Sequence, residues 1–138
     1  MLQAMNTGHD GSLTTVHANS PHDVVTRLDS MVLMSKIELP VRVIREMISS
    51  AVHLIIHTAR FSDGSRKITA ISELTGREGE TIHLAEIFRF RQTGLDPDGA
   101  VQGSFETTGR LPSFLEELSV KGLGLPTELF QQSAQAPR

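Results

Sequence analysis

The chain has 138 residues, with 13 Lys and Arg against 16 Asp and Glu, a formal net charge of -3 and a pI near 6.0. That length suits one compact domain of roughly 100 to 150 residues, and the charge balance, with six Phe and neither Tyr nor Trp, lacks both the basic surface and the stacking platforms of a nucleic-acid binder. The absence of Cys excludes disulfide and thiolate-metal chemistry and suits a reducing compartment, while the longest apolar run, residues 52–56 interrupted by His53, falls far short of the roughly 20 residues of a membrane helix.

In chain order, residues 1–6 read as the end of a helix, because Thr7-Gly8 supplies the left-handed stop that helices commonly use. A helix ending there begins earlier, so the chain is expected to lack an upstream half. No basic or apolar leader pattern opens the sequence, and an unexported protein is expected. Residues 12–17 are Thr- and Val-rich between Gly11 and Asn19-Ser20, which predicts a buried strand. Ser20-Pro21 then opens a helix over residues 21 to about 34, with Ser20 as N-cap, Pro21 at the first helical position and Asp23 closing a capping-box variant. Its apolar stripe is Val24, Leu28, Met31 and Val32.

Pro40 opens a second helix, with Val41, Ile44, Ile48 and Val52 in one row, giving way near Ser49 to a strand over residues 52–61. Asp63-Gly64 is a hairpin signal. Residues 66–74 read as the return strand, Gly76 to Gly79 as a further turn and residues 81–90 as a third strand. Residues 92–103, polar and rich in Gly and Asp, read as a connecting loop. Pro112 opens a short helix that Gly122 ends, and residues 131–138 read as a disordered end.

The chemistry concentrates in Thr7-Gly8-His9-Asp10-Gly11-Ser12-Leu13-Thr14-Thr15-Val16-His17-Ala18-Asn19. Backbone N–H groups beside Ser12 can form an anion-binding nest, and an imidazole can contact a phosphate oxygen or polarise a water. On spacing alone, a glycine-rich turn followed by a strand whose histidines satisfy backbone groups accounts for the stretch equally well. The pair His53 and His57, four residues apart, lacks the Glu of a zinc-protease motif and a third ligand, and falls on a predicted strand, so no metal site is assigned. His22 and His83 read as surface or turn residues.

The run from Leu2 through Pro21 closely resembles the His-box region of CpaF/TadA-type ATPases, members of the type II/type IV secretion ATPase superfamily. The resemblance continues through Arg27-Leu28, Met31-Val32-Leu33-Met34, Glu38-Leu39-Pro40, Ile44-Arg45-Glu46-Met47-Ile48 and residues 63–69, and on into Ile87-Phe88-Arg89-Phe90, Phe105-Glu106-Thr107-Thr108-Gly109 and Leu125-Pro126-Thr127-Glu128-Leu129-Phe130. It implies an α/β fold, the distal half of a RecA-like P-loop domain, with two helices, a three-stranded antiparallel meander and a short helical tail. Residues 1–92 would belong to the ATPase domain and 93–138 to a family C-terminal extension.

The implied protein works as a homo-hexamer in the cytoplasm, peripheral to the inner membrane through pilus or secretion platform proteins, with no nucleic-acid partner and no direct membrane insertion. Its cofactors would be ATP and Mg²⁺. His9 and His17 match the box histidines that sense or position the γ-phosphate, with Gly8, Gly11, Ser12, Thr14 and Thr15 close to the nucleotide. Arg27, which follows the box on the adjoining helix, is the candidate inter-subunit phosphate contact; Arg42, Arg45, Arg60 and Arg66 are weaker candidates, better read as solvated surface. The sequence departs from the family in having no G-x-x-x-x-G-K-[ST] and no upstream acidic boxes, so these residues alone are expected neither to hydrolyse ATP nor to bind it tightly. A shortened, non-enzymatic module that joins or caps a hexamer is the alternative. An unrelated hydrolase using His9 and His17 as an acid/base pair lacks a nucleophile and an oxyanion site.

Overall fold

A computed structural model describes residue 7, residues 11–35 and residues 38–131. The helix end anticipated at residues 1–6 lies outside these, as do Gly8, His9 and the tail from 132. The elements run α1 (Pro21–Met34), α2 (Val41–Ala51), β1 (Leu54–Arg60), β2 (Arg66–Glu78), β3 (Thr81–Leu95), β4 (Val101–Thr107), α3 (Leu115–Val120) and a 3₁₀ turn (Thr127–Phe130). The four strands form one antiparallel meander in the order β1-β2-β3-β4. Among the described residues, no helix is long and apolar enough to cross a membrane.

The chain divides into two compact units, residues 1–55 with 74–84, and residues 56–73 with 85–138. In the first, α1 starts where Ser20-Pro21 dictates: the extended Ser20 accepts a hydrogen bond from the Asp23 N–H at 3.1 Å, satisfying one of the donors that every helix start leaves unpaired. α2 begins after Pro40, whose carbonyl accepts from the Val43 and Ile44 N–H groups. Ile44 and Ile48, one turn apart, are completely buried, and with Leu28, Ala51, Ile55 and Leu74 they make the core. Burying each isoleucine contributes roughly 1.5–3 kcal/mol. Val16, Val24 and Val32 pack on its margin, so the segment before α1 is anchored by one valine while its neighbours His17 and Thr15 face outward.

In the second unit, β3 and β4 pair from Phe88↔Thr107 to Leu95↔Val101, with a register irregularity between Gln92 and Gly94. The rings of Phe61, Phe90 and Phe105 stack edge to face, with centroids 5.4 and 5.1 Å apart, and Lys67 Nζ lies 5.6 Å from the Phe90 centroid. The buried Glu73 carboxylate on β2 accepts from both the backbone N–H and the hydroxyl of Ser113, fixing the chain two residues ahead of α3. That helix ends in two backbone hydrogen bonds, Leu123 N–H to Leu118 O and Gly122 N–H to Ser119 O, with Gly122 at φ 74°, as the left-handed glycine stop requires.

Four expectations are corrected. Residues 12–17 form no strand: the segment joins no sheet ladder, and Leu13, expected to be buried there, is 98% exposed. The meander has four strands and not three, because β3 runs on to Leu95 and residues 101–107, read partly as loop and partly as tail, form β4. β2 continues through Gly76 to Glu78, so the turn falls at Gly79-Glu80. α2 runs two residues past Ser49 to Ala51.

Candidate functional site

An open cleft of about 620 Å³ lies within the first unit, between the segment ahead of α1 and the outer face of that helix. His17, Ala18 and Asn19 contribute from the segment; Asp23, Thr26, Arg27 and Ser30 contribute from α1, with Met31 and Met34 at its far end. The helical positions follow the three- and four-residue spacing of one helix face. Leu28 and Asp29, on the other side, are buried. The helix therefore divides its residues between a face for the core and a face for the cleft.

The local sequence explains the arrangement. Val16 packs inward, His17 projects outward, and the Ser20 cap fixes the path by which the chain enters α1. Ser30 donates its hydroxyl to the Thr26 carbonyl one turn back at 3.0 Å, leaving its oxygen lone pairs directed away from the helix. The cleft presents an imidazole, a guanidinium, a carboxamide and the Thr26 hydroxyl as donors, while the Ser30 hydroxyl, its proton bound to the Thr26 carbonyl, and the Asp23 carboxylate face it as acceptors. Such donors fit the oxygens of a phosphoryl group. The sequence offers no glycine-rich loop with a following Lys.

Of the residues singled out in the sequence, His17 and Arg27 come together in this cleft. Gly11, Ser12, Thr14 and Thr15 are exposed on the approach to it and do not line it; Gly8 and His9 lie outside the described residues. Asn19, Thr26 and Ser30 were missed, although counting three or four residues either way from Arg27 picks out Asp23, Ser30, Met31 and, one turn further, Met34. Elsewhere, His57 faces Thr69 across β1 and β2, with Nδ1 2.6 Å from the hydroxyl oxygen. Arg45 is no surface cation: its guanidinium reaches the Asp29 carboxylate and the Glu80 carbonyl.

The helix that carries the cleft packs one face on the core and offers a mixed polar face on the other side. The profile of the family described as "Type II/IV secretion system protein" matches residues 1–94. The chain belongs to that family. A protein of Mycobacterium tuberculosis named for conjugal transfer, found in two strains, is 33% identical over 79 residues, covering 57% of this chain and 22% of its own length. The conjugal transfer protein TrbB of Rhizobium radiobacter is 32% identical over 89 residues, covering 63% of this chain and 26% of its own length. The chain thus spans about a quarter of the length of these curated relatives.

Proposed function

We propose that this chain is the His-box portion of a CpaF/TadA-type motor ATPase with a RecA-like core, a protein that couples ATP hydrolysis to pilus assembly, secretion or the conjugal transfer for which its relatives are named. The observation that carries this reading is that His17 and Arg27, ten residues apart, line one cleft with hydroxyl and carboxamide donors. Phosphoryl transfer depends on positioning and on neutralising charge spread over the equatorial oxygens. A cation and an imidazole converging on one space supply both.

In this account His17 contacts the terminal phosphate from the subunit's own side, His9 acts with it, and Arg27 answers the same charge or reaches a neighbour's nucleotide. Gly8, Gly11, Ser12, Thr14 and Thr15 shape the approach. ATP and Mg²⁺ are the cofactors of the longer protein, whose upstream part supplies the glycine-rich loop and the acidic groups for the metal. The longer protein works as a hexamer in the cytoplasm beside membrane platform proteins, with residues 1–92 inside the motor domain and 93–138 as an extension of it.

The alternative, a non-enzymatic module that joins or caps such a hexamer, has the same family membership in its favour. Titration calorimetry of this chain with a non-hydrolysable ATP analogue and Mg²⁺ separates the two. Binding no tighter than millimolar supports the incomplete motor; saturable micromolar binding means that the site is complete without a P-loop, which contradicts the motor reading and favours the module.

A further inference from the structure

A charged pair, Asp29 with Arg45, ties the back of α1 to α2. Arg45 lies on α2, and its Nε and one terminal nitrogen each stand 2.9 Å from the same oxygen, Oδ2 of Asp29. A second terminal nitrogen bonds the Glu80 carbonyl. Asp29 is buried, its side chain 9% exposed, and its other oxygen, Oδ1, is buried with no hydrogen-bond partner. The arrangement is unbalanced: three donor contacts satisfy the arginine while half of the carboxylate is desolvated without return.

Such a pair contributes little net stability, because desolvating both ions offsets most of their attraction. The apolar contacts around it are less selective. Val24, Leu28 and Val32 are slippery aliphatic groups against Ile44 and Ile48, and hydrophobic faces of this kind tolerate small rotations. Asp29 and Arg27 are two residues apart, roughly 200° around the helix at about 100° per residue. Any roll of α1 that breaks the Asp29–Arg45 contact therefore swings Arg27 by the same angle on the cleft side, together with Thr26 and Ser30.

We infer that Asp29 and Arg45 are positioning residues for the phosphate-facing cleft: the half-buried ion pair sets the roll of α1 and thereby aims Arg27 at the space it shares with His17. The inference rests on the phosphate reading proposed above. It assigns the pair a role in geometry in place of a role in stability.

The test is titration of the 138-residue chain with inorganic phosphate, followed by ¹H–¹⁵N shifts of the Asn19 and Ser30 amides and of the Arg27 side chain, beside thermal unfolding by circular dichroism. Wild type is expected to bind with a millimolar dissociation constant, and Arg27→Ala to abolish it. The double variant Asp29→Leu/Arg45→Met removes the buried carboxylate and its half-buried partner together; it is expected to keep or raise the unfolding midpoint while weakening phosphate by about fivefold or more. Arg45→Lys, which keeps the charge and loses the planar fork, folds with the least disturbance and is expected to weaken phosphate by about two- to threefold. Phosphate binding that survives Arg27→Ala, or is absent in wild type, overturns the phosphate reading. Loss with Arg27→Ala but undiminished binding in Arg45→Lys and in the double variant overturns the positioning role alone. A fall in binding that only tracks a fall in unfolding midpoint also overturns it, since that is the mark of a structural contact.

Discussion

Asp63, in the turn between β1 and β2, accepts a hydrogen bond from the Val101 N–H at 2.7 Å, so the first residue of β4 is held by a carboxylate 38 positions earlier in the chain. The other oxygen of Asp63 accepts from the hydroxyl and the N–H of Ser65. The Ser65 hydroxyl, then the Val101 and Ser65 N–H groups, lower the Asp63 pKa from 3.8 to about 2.

A carboxylate whose pKa is depressed by folding stabilises the fold above its unfolded pKa, and that contribution is lost as pH falls through the folded value. For Asp63 the window is about pH 4 to pH 2. Urea midpoints measured across this window are expected to fall less steeply in Asp63→Asn than in wild type. Equal steepness would show that the Val101 and Ser65 bonds do not favour the ionised form.

Gly103 occupies a place where a side chain has no room. A Cβ built there would come within 2.5 Å of the Arg91 carbonyl oxygen and 2.5 Å of the Phe90 ring. Gly103→Ala is expected to destabilise by about 1–3 kcal/mol, and adding Phe90→Leu to recover only part of that, because the backbone oxygen remains. Denaturant midpoints of the single and double variants decide this; full recovery would mean that the ring alone is the obstacle.

Ser20→Ala removes the hydroxyl that accepts from Asp23 N–H and is expected to cost about 1 kcal/mol, within a range of roughly 0.5–2. Ile48→Ala, at a fully buried position, is expected to cost about 2–5 kcal/mol. Leu13→Ser, at a position 98% exposed, is expected to stay within about 0.5 kcal/mol of wild type. If Leu13→Ser proved as costly as Ile48→Ala, the assignment of residues 12–15 to an exposed segment would be untenable.

The helices were legible because their signals are local. Ser20-Pro21 names the start of α1, and of its expected apolar stripe Val24, Leu28 and Val32 face inward while Met31, 55% exposed, turns to the cleft side; Pro40, Ile44 and Ile48 mark α2 in the same way. β4 was not legible. From Arg91 through Leu95 and from Gln102 through Phe105 every residue is exposed, so no alternation of apolar and polar residues marks the two strands, and Gly94, Asp96, Asp98, Gly99 and Gly103 read as loop. The glycines have separate reasons: Gly99 turns with φ 83° between the strands, and Gly103 makes room for Phe90. Residues 12–17 failed in the opposite direction, since β-branched composition signals an aptitude for pairing and cannot supply the neighbour.

Of the cleft-lining residues, His17 lies in the stretch singled out for its chemistry and Arg27 was pointed to by the family resemblance, while Thr26 and Ser30 were missed, because nothing in a helix sequence says which polar face borders a cleft. The Asp29–Arg45 pair was not legible, because a contact between side chains 16 positions apart on two helices leaves no mark in either segment. Arg45 looked like a solvated cation for that reason.

The central claim is that His17 and Arg27 face the terminal phosphate of a nucleotide held mainly by the upstream part of a longer motor. It is tested most directly by steady-state ATP turnover and nucleotide affinity of the full-length protein carrying His17→Ala or Arg27→Ala. The account predicts nucleotide affinity within a few-fold of wild type and turnover lowered about 100-fold or more in each. Turnover unchanged in both variants would contradict it.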